Sequence, residues 1–460
     1  MQFTQVYFIG IGGIGMSALA RYFHANGYLV GGYDRVSTPL TQQLEQEGLA
    51  IHYQDDVKAI PAPFLDKTKT LIVVTPAVPL DHSERQYFEQ QGFRLMKRAA
   101  VLGEITRRQK SICIAGTHGK TTTSTMTAHL LHQSHVDGSA FLGGISKNYA
   151  SNVILAPNTD YIVIEADEFD RSFHQLTPYM AVITSVDPDH LDIYKTEEAF
   201  RQSFEQFTSL IQPEGVLLIK KGLSISPQLE PSVRLFTYAV DQHADFYSDN
   251  IRIENGEIRF DFHTPTNTIV DVLLGVPVPI NVENGTAAMA LAWLAGVSAE
   301  ELRNGMASFS GIQRRFDIRF QRRNVLFIDD YAHHPTELKA SIESMKKVFH
   351  GRTICGIFQP HLYSRTRDFA SAFAEALSQL DEVILLDIYP AREAPMEGVS
   401  SQLIFDRITL SNKILCARDQ LLPLLTQKKQ IDVLATFGAG NIDQLLPDID
   451  KLLLARFGQE

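Results

Sequence analysis

Short apolar runs alternate along this chain with stretches whose apolar positions recur every three to four residues, almost to the C-terminus. That alternation predicts parallel sheets joined by crossover helices. Residues 6–9 predict a first strand, and Met16, Leu19, Ala20 and Phe23 predict a helix that Gly27 ends. Further strands are predicted at 29–33 and 71–74, the latter closing on Thr75-Pro76, with a helical stretch running to about Lys110. A second unit opens with a strand at 112–115 and a helix at 121–131, and adds strands at 161–164 and 181–184. Between Phe246 and Leu274 the period changes to two, with Glu254-Asn255-Gly256 as a turn, which predicts a β-rich addition before a helix starting near Thr286. Strands at 325–328, 353–358, 383–386 and 433–437 predict a third α/β unit starting near Gly311. The predicted domains are therefore 1–109, 110–312 and 313–460, each built on a mainly parallel sheet.

Composition narrows the chemistry. The chain has 460 residues, more than one ordinary core accommodates, and 53 acidic against 42 basic residues leave a net charge of −11. Its cations are scattered, which argues against nucleic-acid binding. A phosphorylated ligand would then be held by glycine loops, helix N-termini and bound metal rather than by overall charge. Cys113, Cys355 and Cys416 are far apart and lack metal or disulfide spacing, which fits a reducing cytoplasm. Glycines break the first apolar run, and no stretch approaches the ~18 apolar residues of a membrane span, so a soluble, unexported protein is expected.

Open parallel sheets bind ligands beyond the carboxyl ends of their strands, and the polar clusters of this chain fall there. Gly116-Thr117-His118-Gly119-Lys120-Thr121 sits between a predicted strand and helix, the arrangement that cradles phosphates with backbone N–H groups. Lys120 would neutralise the terminal phosphates and the Thr121 hydroxyl would ligate Mg²⁺. The first glycine of the full pattern is missing, since Ile114 stands there. In the same unit, Glu165 with Ala166-Asp167-Glu168, and Asp187-Pro188-Asp189-His190, follow neighbouring strands and suit a metal-bound phosphoryl site. Gly10-x-Gly12-Gly13-x-Gly15, with Asp34 after the second strand, could hold a dinucleotide or the pyrophosphate of a UDP-sugar. Arg314-Arg315 could reach phosphates from the start of the third unit.

Taken together, 10–17, 116–123, 165–168, Asp189-His190, 329–337, 358–366 and 387–393 resemble, in order and spacing, the Mur ligase family. The resemblance covers nearly the whole chain. It implies a Rossmann-like N-terminal domain for a UDP-sugar, a P-loop ATPase-like central domain with the β-rich addition, and a Rossmann-like C-terminal domain that closes over both and presents an amino acid. By the same resemblance Gly116, Thr117, His118, Gly119, Lys120, Thr121 and Thr122 form the ATP loop, with Asn281 and Asn284 on adenine, Asp330 on ribose and Arg314 or Arg315 on the phosphates. Gly12, Gly13, Ile14, Gly15, Met16, Asp34, Thr75 and His118 would meet the UDP-sugar. Thr121, Glu165 and His190 would hold Mg²⁺, and Tyr331, His333 and Arg365 the amino acid. Three residues depart from the family pattern: Ile280 stands where His is usual, Asn441 where Asp is usual, and Leu362 where some members carry Arg. Glu205 stands where other branches carry a modified lysine, in keeping with the alanine-adding branch.

The implied reaction is ATP-dependent joining of L-alanine to the lactyl carboxylate of UDP-N-acetylmuramate through an acyl phosphate, for peptidoglycan synthesis. Lys120 would stabilise phosphoryl transfer, and His333 or His190 would take the ammonium proton. A hinge near Gly311 would exclude water. A monomer or weak homodimer is expected. The rivals are a recycling ligase that adds a tripeptide to the same sugar, an NAD(P)-dependent oxidoreductase using the first glycine motif, and a UDP-sugar sensor without catalysis.

Overall fold

The computed structural model describes residues 3–75, 77–157, 159–188, 191–254, 256–322, 324–391 and 393–458. Two expected metal-site residues, Asp189 and His190, lie outside the described residues, as do Pro76, Asn255 and Arg392. The chain divides into two compact units, one of Met1–Ile251, Arg259–Gly275 and Asn281–Ser310, the other of Arg252–Ile258, Val276–Ile280 and Gly311–Glu460. Three sheets are distributed over them.

The first sheet is fully parallel. Its strands β1 (Gln5–Ile9), β2 (Leu29–Tyr33), β3 (Ala50–His52), β4 (Thr70–Val74) and β5 (Arg94–Lys97) run in the order β3-β2-β1-β4-β5. Every residue of β4 is buried, as a central parallel strand requires. The helix Ile14–Ala25 starts directly from the glycine loop and packs Met16, Leu19, Ala20 and Phe23 into the core.

The second sheet has ten strands: β6 (Lys110–Ala115), β7 (Ser139–Ser146), β8 (Ser151–Ile154), β9 (Tyr161–Glu165), β10 (Met180–Ile183), β11 (Val216–Lys220), β12 (Arg234–Val240), β13 (Phe246–Glu254), β14 (Glu257–His263) and β15 (Thr268–Leu273). Their order is β15-β14-β13-β12-β11-β10-β6-β9-β7-β8. The β6 strand lies between β10 and β9 and parallel to both, so three strand ends with polar sequences converge at one edge. Antiparallel pairing of β14 with β15 forms part of the predicted β-rich addition. The following helix is Ile280–Leu294, six residues earlier than predicted. Asn281, Glu283 and Asn284 read as loop, but they occupy its first turns, just after Pro277 and Pro279.

The third sheet, in the second unit, contains β16 (Asp317–Arg322), β17 (Val325–Asp330), β18 (Ile354–Phe358), β19 (Glu382–Leu385), β20 (Lys413–Leu415) and β21 (Val433–Phe437), ordered β16-β17-β21-β18-β19-β20. Only β16 is antiparallel to its neighbour, and the predictions missed it because an edge strand with polar residues on both faces has no clean period. Among the described residues, no helix is long and apolar enough to cross a membrane.

Candidate active site

Between β6 and the helix Lys120–His132, the chain turns on two glycines with positive φ, Gly116 at 141° and Gly119 at 80°. A side chain at Gly116 would meet Oγ1 of Thr184 at 2.1 Å, and one at Gly119 would meet Oδ1 of Asn284 at 2.6 Å, so both positions require glycine. Adjacent strands brace the loop: the His118 amide donates to Ser185 Oγ (2.8 Å), the Thr184 hydroxyl to the His118 carbonyl (2.6 Å) and the Thr117 hydroxyl to the Asp187 carbonyl (2.7 Å). The His118 imidazole itself is exposed.

Lys120 folds back over this loop. Its ammonium donates to the Gly116 carbonyl at 2.6 Å and pairs with Glu168 at 2.8 Å. Burial raises the pKa of Glu168, and the charge of Lys120 opposes that rise. Glu168, expected with Glu165 in a metal-bound phosphoryl cluster, is instead the partner of Lys120, which it reaches because β9 is the neighbour of β6. Glu165, the last residue of β9, lies against Gly143 of β7, where a Cβ would fall 2.1 Å from its carboxylate. Asn284 is buried, donates to Asn281 Oδ1 (3.1 Å) and abuts Gly119, which brings both expected adenine contacts to the phosphate loop. Ile280 precedes them and is exposed.

The first glycine loop is closed by Asp34, whose Oδ2 accepts from the Gly12 amide at 2.7 Å. Thr75 packs on Gly10, where a Cβ would come within 2.7 Å of its methyl group. Ile14 and Gly15 begin the helix, while Met16 turns its side chain into the core and gives its N–H to Gly13. A residue absent from the expectations appears here: Nη1 of Arg98 would be 2.9 Å from a Cβ on Gly15, and its guanidinium reaches Asp167 at 3.8 Å. A cation thus stands at the helix N-terminus that would receive a pyrophosphate. Its sequence signal, Lys97-Arg98 at the end of β5, is too common to single out.

In the second unit, β17 ends in Asp329-Asp330. Asp330 is buried, accepts from the Ser341 hydroxyl at 2.6 Å, and is pushed by burial up to about 6. Arg314 donates to the Gly438 carbonyl (2.6 Å), pairs with the buried Asp329 (3.2 Å) and, like Arg315, lies over the Tyr331 ring. His333 stacks edge-on with Tyr331 and contacts Glu337 at 3.2 Å. Burial favours neutral Glu337, but the hydrogen bond and charge of His333 prevail and hold its carboxyl below the usual range. Nη1 of Arg365 is buried with no hydrogen-bond partner among the described residues. Leu362 nearby has φ of 70°, strained for a residue with a Cβ. Asn441 accepts from the Gln359 amide at 2.9 Å, a bond that either Asn or Asp could make.

Residues 5–110 match the Mur ligase family catalytic domain, 114–292 the Mur ligase middle domain and 314–440 the Mur ligase glutamate ligase domain. The chain belongs to the Mur ligase family. A UDP-N-acetylmuramate–L-alanine ligase of Parabacteroides distasonis is 59% identical to it, covering 98% of this chain and 97% of the relative. The structure of a Thermotoga maritima UDP-N-acetylmuramate-alanine ligase superposes with a TM-score of 0.81 at 26% identity, over 99% of both chains. A murein peptide ligase from Psychrobacter arcticus shares the fold, with a TM-score of 0.69 at 22% identity over 98% of both chains. In this chain the phosphate loop, the strand-end carboxylates and the first glycine loop belong to one of the two compact units.

Proposed function

We propose that this chain is an ATP-dependent ligase that joins L-alanine to the lactyl carboxylate of UDP-N-acetylmuramate in the cytoplasmic synthesis of peptidoglycan precursor. The observation that carries this is the 59% identity to an alanine ligase along 98% of the chain, together with a phosphate loop whose lysine is already folded over it. Residues 1–109 would bind the sugar nucleotide, 110–312 ATP and 313–460 the amino acid. The protein would act as a monomer or weak homodimer.

Among the described residues no group of three or more His, Cys, Asp or Glu could hold a metal ion alone. Thr121 at the start of its helix and Glu165 at the end of β9 offer one hydroxyl and one carboxylate, a set that suits Mg²⁺, which keeps most of its shell as water and phosphate oxygen and takes only one or two carboxylates. Thr121 and Glu165 would hold it with His190, and the Gly143 hollow leaves Glu165 the room to do so. Bound there, the ion would offset negative charge on the phosphates.

The lactyl carboxylate is a poor electrophile until one oxygen takes the γ-phosphoryl group of ATP, releasing ADP. Lys120 and the loop amides stabilise the charge that develops on the transferring group. The amine of alanine then attacks the acyl carbon, and the tetrahedral adduct expels phosphate to leave the amide. The ammonium proton passes to His333 or His190, and Arg365 holds the alanine carboxylate through charged hydrogen bonds. Arg98 and the amides at Ile14 and Gly15 suit the sugar pyrophosphate, and Asn281 and Asn284 suit adenine.

The test is phosphate release from ATP by purified protein with Mg²⁺, UDP-N-acetylmuramate and each amino acid in turn, with murein tripeptide in parallel. Release with alanine is expected. Release with tripeptide alone would make the chain a recycling ligase, and none with any acceptor would refute the ligase.

A further inference from the structure

The first and second sheets must hold two ligands in register, yet they are distinct layers of one unit, and a fully buried amide bridges them. Asn152, in β8 at the edge of the ten-stranded sheet, has no solvent exposure. Its Nδ2 donates to the Ile14 carbonyl at 2.5 Å and to the Ser17 hydroxyl at 2.9 Å, and its Oδ1 accepts from Nη1 of Arg21 at 2.6 Å. Both donors and the acceptor are therefore engaged with the helix Ile14–Ala25. Arg21 in turn makes a forked pair with Glu47, at 2.8 Å from Nε to Oε2 and 2.8 Å from Nη2 to Oε1, just past the helix Pro39–Gln46.

Ile14 opens the helix that grows from the glycine loop, so Asn152 grips the first turn of the element whose N-terminus would take the sugar pyrophosphate. The other end of the connection leads to the phosphate loop. The β8 strand pairs with β7, β7 pairs with β9, and Gly143 of β7 lies directly against Glu165. Apolar contacts such as Tyr22 against Phe141, with ring centres 5.3 Å apart, already hold the layers together. Apolar contact is non-directional, whereas a fully engaged amide admits one register.

We propose that Asn152 is a positioning residue that fixes the glycine loop of the first sheet relative to the phosphate loop of the second. This rests on the ligase reading above, in which the lactyl carboxylate must meet the terminal phosphate in line. A misplacement of about 1 Å costs such a reaction about a hundredfold, while each ligand can still bind its own loop. Asn152 touches neither ligand and acts through Ile14.

The experiment compares the full-length protein with Asn152→Ala and Asn152→Asp. The aspartate keeps an acceptor for Arg21 but loses both donors, so it preserves the buried pairing and removes the grip on Ile14. We expect Kd for UDP-N-acetylmuramate and for ATP, each measured alone, to stay within about threefold, and turnover to fall by about 10- to 100-fold. Amide exchange should accelerate over residues 12–17 and stay unchanged over 116–121. Wild-type turnover in both variants, or a loss of turnover matched by the loss of folded protein on heating, would overturn the inference. If the alanine variant does not fold, the aspartate variant decides. A wild-type protein that releases no phosphate counts against the ligase reading instead, and amide exchange then still tests the bridge: unchanged exchange over 12–17 refutes it.

Discussion

The ammonium of Lys120 lies 2.8 Å from one carboxylate oxygen of Glu168 and 2.9 Å from the other, and Glu168 is 1% exposed. A buried pair of this kind adds little net stability but is costly to break from one side. Its use here is orientation, since it keeps the lysine over the phosphate loop before any nucleotide arrives. Lys120→Ala is expected to cut ADP formation by more than about a hundredfold and to lower stability by about 3 kcal/mol, because Glu168 is left buried and unpaired. Lys120→Met combined with Glu168→Leu should recover most of the stability and none of the activity. Urea denaturation and an ADP assay on the single and double variants check both halves, and an active Lys120→Ala would remove this lysine from the mechanism.

Gly143 offers a test of the metal site at a residue that carries no side chain. A methyl group there would come within 2.1 Å of Glu165 Oε2, so the carboxylate must move. Gly143→Ala is expected to raise the Mg²⁺ concentration for half-maximal turnover by about tenfold or more, the usual effect of disturbing a ligand's support. A Mg²⁺ titration that superposes on the wild type would detach Glu165 from the metal.

These two sites differ in how legible they were in the sequence. Glycine loops and strand-end carboxylates are local: strand, Gly116, Gly119, Lys120 and helix follow one another in the chain, and their positions could be read directly. Glu168 and Arg98 act through tertiary neighbours, Lys120 and Gly15, which no spacing encodes. Secondary structure failed for related reasons. The polar first turns of Ile280–Leu294 resembled a loop, and β16 lacks a buried face that would impose alternation. Where burial is strong along the whole strand, as in β2 and β21, predicted and observed bounds agree.

Arg365 carries a donor nitrogen that is buried and has no hydrogen-bond partner among the described residues. Such a group costs about 1–3 kcal/mol unless a ligand satisfies it, and the carboxylate of an amino acid would do so with a charged bond. Arg365→Ala is expected to raise KM for alanine by about a hundredfold and to leave KM for ATP unchanged. Arg365→Lys should recover little, because an ammonium does not reproduce the planar fork. Steady-state kinetics with each substrate varied in turn will separate the two, and equal effects on alanine and ATP would refute the assignment.

The last prediction concerns pH and a carboxyl away from the phosphate loop. Glu84 is fully buried on the first sheet, and desolvation pushes it up from an ordinary value of 4.5 to about 8. The Tyr7 hydroxyl lies 2.7 Å from both Glu84 Oε2 and His52 Nε2, and the Gln54 carbonyl is 3.0 Å from His52 Nδ1. A proton on Nδ1 for Gln54 makes Nε2 an acceptor, so Tyr7 can donate to His52 while a neutral Glu84 donates to Tyr7. A carboxyl whose folded pKa is raised contributes stability that is complete below its unfolded value and disappears as pH rises toward the folded one. Stability should therefore decline from about pH 4.5 to about pH 8 on account of this group. His52 and His82 are both lowered by burial, so their contribution to stability grows as pH rises and opposes that of Glu84, which is why the variant is compared with the wild type. Glu84→Gln keeps a donor for Tyr7 and cannot ionise, and it should remove this part of the decline in melting temperature between about pH 5 and about pH 8. Parallel melting curves for the variant and the wild type across that interval would mean that Glu84 is ionised throughout and that Tyr7 donates to it.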